Sequence, residues 1–127
     1  MFGDNLEPDA ITELLQCDPS SAHRLGETIG RKGKRIAKTG LWSLRASTQN
    51  PGNLDIQVEE ILGKMTGDLG TWKRVSKEYR VDLFVGVFLK HGNEGLSIST
   101  CTLLKLGERG IEIDLDIYGG DGEDEND

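Results

Sequence analysis

The longest apolar run in the chain is Val81-Asp82-Leu83-Phe84-Val85-Gly86-Val87-Phe88-Leu89. It is rich in β-branched and aromatic residues and too short for a membrane helix, so it reads as a strand. With a period of two, Val81, Leu83, Val85, Val87 and Leu89 point one way, while Phe84 and Phe88 point the other. Both faces are mostly apolar, which predicts a strand inside a sheet rather than at its edge. Ile111–Tyr118 alternates more strictly. Ile111, Ile113, Leu115 and Ile117 face inward, and Glu112, Asp114, Asp116 and Tyr118 face outward, giving one packed face and one wet one. Gly40–Ala46 is a further strand, with Trp42 and Leu44 on one side, and Met1-Phe2-Gly3 reads as the end of another.

Between these strands the period changes to that of helices. Leu6–Leu15 carries the stripe Ile11, Leu14 and Leu15, with Pro8 suited to a first turn and Asp9 to an amino end. Asn53 is a good cap for the clearest stripe, Leu54, Val58, Ile61, Leu62 and Met65. A shorter helix over Thr71–Tyr79 offers Trp72, Val75 and Tyr79 to the core. Ser99 caps a last one through Cys101, Leu103, Leu104 and Leu106, which stops near Gly107–Gly110. Residues 18–39 have no clear period and read as a long loop with room for a hairpin, and Ser47–Gly52 is a turn cluster. The predicted fold class is α+β: a two-layer sandwich in which a mixed sheet of about four strands carries helices mainly on one face.

The chain has 127 residues, enough for one domain with its own core, and we expect residues 1–120 to form it. The net charge of −7 is segregated. Asp121, Glu123, Asp124, Glu125 and Asp127 place −5 in residues 121–127, an acidic, solubilising, disordered tail by composition. Residues 24–45 carry Arg24, Arg31, Lys32, Lys34, Arg35, Lys38 and Arg45 against Glu27 alone, a local +6. No apolar stretch approaches the roughly 20 residues of a bilayer span, and the amino end is not signal-like. Cys17 and Cys101 lack CxxC partners and read as buried or neutral thiols in a reducing compartment, so the expected location is cytoplasmic.

One family resembles this series of motifs. Phe2-Gly3-Asp4 with Pro8 and the Ile11–Leu15 helix, Pro19, Thr39-Gly40-Leu41-Trp42-Ser43-Leu44, Val81–Gly86, Gly95-Leu96-Ser97-Ile98-Ser99 and Leu115-Asp116-Ile117-Tyr118 occur in its order. The chain is similar to the bacterial family catalogued as domain of unknown function 4279, over nearly everything except the acidic tail. The resemblance implies a small α+β domain and no particular activity. It also implies a full strand leading into Phe2, of which this sequence holds little.

Three chemistries compete. Ile29-Gly30-Arg31-Lys32-Gly33-Lys34-Arg35-Ile36 has the Gly-x-x-Gly spacing with which KH domains grip a nucleic-acid backbone. The helix that should follow is interrupted by Lys38-Thr39-Gly40, so a solvated basic loop is the better reading. The same stretch lacks the GxxxxGK[ST] spacing of a phosphate-binding loop. Glu112, Asp114 and Asp116 line one strand face about 7 Å apart. They could serve a metal or hydrolytic site, but nothing converges on them, and a solvated face partnered by Arg45 is favoured. His23 and His91 lack metal spacing and read as surface residues.

No residue is assigned a catalytic role, no metal ligands are assigned, and no cofactor is expected, so an enzyme is the less favoured class. The leading expectation is a non-enzymatic protein-interaction domain, with an immunity-protein-like inhibitor as one form of it. Its partner would be an unidentified protein and would meet Phe84, Phe88, Trp42, Asp114 and Asp116. The alternative is nucleic-acid binding through Gly30, Arg31, Lys32, Gly33, Lys34 and Arg35, which the overall acidity disfavours. No membrane role is expected. The simplest expectation for Phe84 and Phe88 is that the loop 18–39 roofs them; left bare, they would form a contact patch.

Overall fold

The computed structural model describes residues 1–47 and 53–119. The acidic tail and all of the 47–52 turn cluster except Ser47 lie outside them. The fold is α+β, in the order β1 (Phe2–Gly3), α1 (Pro8–Leu15), β2 (Ser21–His23), β3 (Thr28–Ile29), β4 (Arg35–Ile36), β5 (Gly40–Ser43), α2 (Leu54–Lys64), α3 (Leu69–Glu78), β6 (Asp82–Phe88), α4 (Thr100–Glu108) and β7 (Glu112–Tyr118). Local chemistry sets the helix starts. Pro8 occupies the first turn of α1, while the side chains of Asn53, Asp68 and Ser99 accept from Ile56, Thr71 and Thr102 amides to cap α2, α3 and α4.

The expected single sheet is instead three small ones. β5 lies between β1 and β2, antiparallel to both, β3 and β4 form a hairpin, and β6 and β7 run parallel across α4. The division has a simple cause. β1 is two residues long, so it joins the β5 sheet to the β6 strand through one bridge only, between Phe2 and Arg80. Phe2 N donates to Arg80 O at 3.0 Å and Arg80 N donates to Phe2 O at 3.2 Å. The stretch expected as a long loop with room for a hairpin, 18–39, holds that hairpin as β3–β4 and also adds β2 to β5.

Two apolar clusters hold the elements. The first gathers Leu6, Ile11, Leu15, Trp42, Trp72, Val75 and Val81 between α1, α3 and the three-stranded sheet. The second packs Leu54, Val58, Leu62 and Leu106 of α2 and α4 against Leu83, Val85 and Ile113 of the parallel pair. Along α4 the buried residues are Thr102 and Leu106, whereas Cys101, Leu103 and Leu104 are exposed, so the apolar stripe expected there faces the wrong way. β7 also departs from expectation. Ile111 and Ile113 reach the core, but Leu115 and Ile117 are 44% and 59% exposed, because the strand runs on past the packed helices.

Thr102 is buried because it is partnered. Its hydroxyl donates to Asp55 Oδ1 at 2.7 Å, and Ser99 N donates to the same oxygen at 3.1 Å, tying α4 to the first turn of α2. These bonds, the Thr102 one first, hold the Asp55 carboxyl below its ordinary value of 3.8. A depressed folded-state value contributes stability that is full above the unfolded value and is lost as pH falls through the folded one. Thr102→Val is therefore expected to lower the melting temperature at neutral pH and to differ little from the parent well below pH 3.8. Melts of both proteins across this range check it; a gap that stays constant would mean the hydroxyl acts by packing alone.

Candidate functional site

The parallel register sets Phe84 beside Asp114, Gly86 beside Asp116 and Phe88 beside Tyr118. Period two then gathers Asp82, Phe84, Gly86 and Phe88 with Glu112, Asp114, Asp116 and Tyr118 on the face turned away from α2 and α4. The loop 18–39 does not roof it, since its residues are committed to β2 and the hairpin. Phe84 is 65% and Phe88 74% exposed. The Phe88 and Tyr118 rings stack with centroids 4.7 Å apart and planes 4° from parallel. Gly86 leaves room for this: a Cβ there would stand 3.3 Å from Phe88 Cε2.

Carboxylates surround the rings. The Tyr118 hydroxyl donates to Asp116 Oδ2 at 2.7 Å, and this bond, with the nearby negative charge, pushes the phenol up from its ordinary value. Asp114 is likewise raised, first by its hydrogen bond to Asp82, then by desolvation and by the Asp82 charge, with Arg80 opposing. Carboxylates close together on neighbouring strands raise one another's free energy, an arrangement that a cation relieves. Arg80 supplies one in part: its Nη2 lies 3.1 Å from Glu112 Oε2 and 3.7 Å from Asp114 Oδ2. The guanidinium is 65% exposed, so this is a weak, solvent-screened pair. The cation predicted for these carboxylates, Arg45, instead stands on the β5 side, where its amide donates to Ser20 Oγ at 3.0 Å.

Trp42 is no part of this face. It is 2% exposed, and its Nε1 donates to Thr12 Oγ1 at 3.1 Å, so its ring is core and cannot reach a partner. Period two along β6 could have added Asp82 to the face. The Phe88–Tyr118 stack could not be read, because it depends on the parallel register of two strands separated by α4.

A second feature lies beside the face. Beside Met1, a groove of about 500 Å³ is lined by Leu44–Ala46 and Asp82–Gly86, with Leu54, Val58 and Leu62. Ser43, Arg45, Gln57 and Asp82 are among its lining, and Asp114 and Asp116 are outside it.

The other candidates stay apart. Gly30, Arg31, Lys32, Gly33, Lys34 and Arg35 are the exposed tip of the β3–β4 hairpin, with Gly30 and Gly33 at positive φ. A loop between two strands is not the helical setting that a KH grip requires. His23 lies in β2, and His91 sits in a turn where its amide donates to Glu94 Oε1 at 2.6 Å. Cys17 is half-buried, with its thiol pushed up chiefly by burial, and Cys101 is exposed. Among the described residues, no group of three or more His, Cys, Asp or Glu side chains could hold a metal ion. No helix among them is long and apolar enough to cross a membrane.

No curated protein and no solved structure gives a significant match to the chain. A family model does match, over residues 1–120, the span that holds both the aromatic face and the groove. The chain belongs to the family described as domain of unknown function DUF4279.

Proposed function

We propose that this domain is a non-enzymatic protein-interaction module whose contact surface is the open face of β6 and β7. The observation that carries the reading is the exposure of Phe84 and Phe88, 65% and 74%, on a regular strand beside stacked Tyr118. Bare aromatics held rigid by a β-ladder supply contact area at low entropic cost, the usual make-up of an interface anchor. Asp82, Glu112, Asp114 and Asp116 rim them and favour a partner with cations around an apolar recess. An inhibitor that neutralises a basic protein, in the manner of an immunity protein, is one form such a module takes.

The double variant Phe84→Ser/Phe88→Ser tests the proposal, because neither ring is in a core cluster and the fold should survive. Pull-downs from the source cell with the parent chain and the variant should differ. A protein retained by the parent and lost by about tenfold or more with the variant, the effect of removing two anchors, supports the reading. If both retain the same proteins equally while melting alike, the face is not the contact surface.

A further inference from the structure

The β3–β4 hairpin carries a shape and a charge that the aromatic face does not use. Gly33 N donates to Gly30 O at 3.1 Å and both glycines take positive φ, so the chain reverses tightly at Arg31-Lys32. Behind the turn, Ile29 pairs with Arg35. The tip holds an open recess of about 290 Å³, lined by Ile29, Gly30, Arg31, Lys32, Lys34 and Arg35. A Cβ at Gly30 would stand 3.5 Å from Arg35 Nε, so any larger residue there would intrude on that lining. Residues 30–36 are all exposed. Among the described residues, none of the four cations of the tip is in an ion pair. On β6 and β7 the signs are reversed. Phe84 lies across from Asp114, with the pair Asp82 and Glu112 one step before it on the same face and Asp116 one step after, each about 7 Å along the strands. Arg80 is the single cation in ion-pair contact with these four carboxylates among the described residues.

We propose that the hairpin recess of one copy of the chain receives Phe84 of a second copy, while the four hairpin cations meet the carboxylates around that ring. This rests on the reading of the β6–β7 face as a contact surface and names its occupant. A cavity of about 150 Å³ admits benzene, so a recess of about 290 Å³ has room for one phenyl ring. Ile29 and the aliphatic stems of the lysines and arginines give the ring an apolar surround, while the charged heads stay at the rim. A guanidinium against the ring face adds its own attraction. Within one chain the two surfaces do not meet, since Phe84 is 65% exposed and the hairpin tip is bare, so the contact joins separate copies. It pairs unlike patches. Copies therefore close as a reciprocal pair or a ring, or run on as a chain. One hairpin tip on one strand pair is a small interface, under about 1,200 Å² in total, the size of weak and transient association.

Sedimentation equilibrium of the full chain, from about 20 µM to about 1 mM, tests this. The mean mass should rise with concentration. Raising the salt from about 50 to about 500 mM should weaken the association by about tenfold or more, because opposed charges carry much of it. Two variants separate the patches: Arg31→Glu/Arg35→Glu keeps the face and reverses the hairpin charge, and Phe84→Ser/Phe88→Ser keeps the hairpin and removes the rings. Each should be monomeric alone. Their equimolar mixture should form a one-to-one dimer and nothing larger, since it holds one intact patch of each kind. A parent that stays monomeric throughout overturns the inference, as does a mixture that fails to pair while both variants melt with the parent. So does association of Arg31→Glu/Arg35→Glu by itself, because the face would then pair with its own copy. The pull-downs fail separately. A different protein, retained through Phe84 and Phe88 by a chain that stays monomeric, would keep the face as a contact surface and remove the second copy as its occupant.

Discussion

Trp72→Ala is expected to lower the unfolding free energy by about 3–5 kcal/mol, the range for emptying a large aromatic site in a core. Trp72 is 1% exposed and is the largest fully buried side chain among the described residues. It belongs to the cluster that holds α1, α3 and the three-stranded sheet together. Its ring also carries a bond. Nε1 donates to Thr66 O at 2.9 Å, while Thr66 N donates to Leu15 O at 2.8 Å, so one indole fixes the α2–α3 connection against the end of α1. Against a total stability of about 5–15 kcal/mol, the loss is a large share and corresponds to a melting-temperature drop on the order of 10–20 °C. Trp72→Phe separates the two contributions. It keeps most of the volume and gives up the bond, so about 1–2 kcal/mol should remain. Denaturant midpoints of the three proteins check this; equal losses in both variants would mean that the hydrogen bond, not the packing, carries the site.

What could be read in advance was what sequence neighbours decide. Asn53 and Ser99 announced their helices because a cap acts on amides two or three residues away, and Pro8 did so because it fixes its own φ. The strand β6 was legible from its β-branched run, and its two faces from period two. What failed depended on partners distant in the chain. Ser21–His23 has no strand-like composition and is a strand because β5 pairs with it. Leu103 and Leu104 look like core, yet the face of α4 that packs is chosen by Thr102, whose partner Asp55 lies 47 residues away. Arg80 rather than Arg45 meets Glu112 because the parallel register, unreadable from one sequence, brings the start of β6 beside the start of β7. The candidate face was half legible for the same reason. Phe84 and Phe88 follow from one strand alone; their exposure and the Tyr118 stack do not.

Gly40→Ala should be the other costly substitution, at about 3 kcal/mol or more, the upper part of the range for forcing a methyl into a packed site. Its φ is not in the left-handed region, so the cost is steric rather than conformational. A Cβ at residue 40 would stand 2.7 Å from Gly3 O, 2.9 Å from Leu6 Cβ and 3.1 Å from Leu6 O. Two of these three neighbours are backbone and cannot rotate away. Retreat on the other side is closed as well, since Gly3, the cross-strand partner of Gly40, leaves no room for a Cβ of its own against the Tyr79 ring, 2.7 Å from Cδ1. The methyl must therefore push β1 off β5. β1 also carries the Phe2–Arg80 bridge between the two sheets, so the damage should reach β6 and the rim of the groove. Amide exchange at Phe2, Arg80 and Trp42 should speed up in Gly40→Ala, together with a lower denaturant midpoint. Gly63→Ala, where a Cβ meets nothing within 4 Å, is the control and should stay within about 1 kcal/mol of the parent. If Gly40→Ala melts with the parent and its Phe2 and Arg80 amides exchange at parental rates, β1 can shift without loss, and the junction between the sheets does not depend on it.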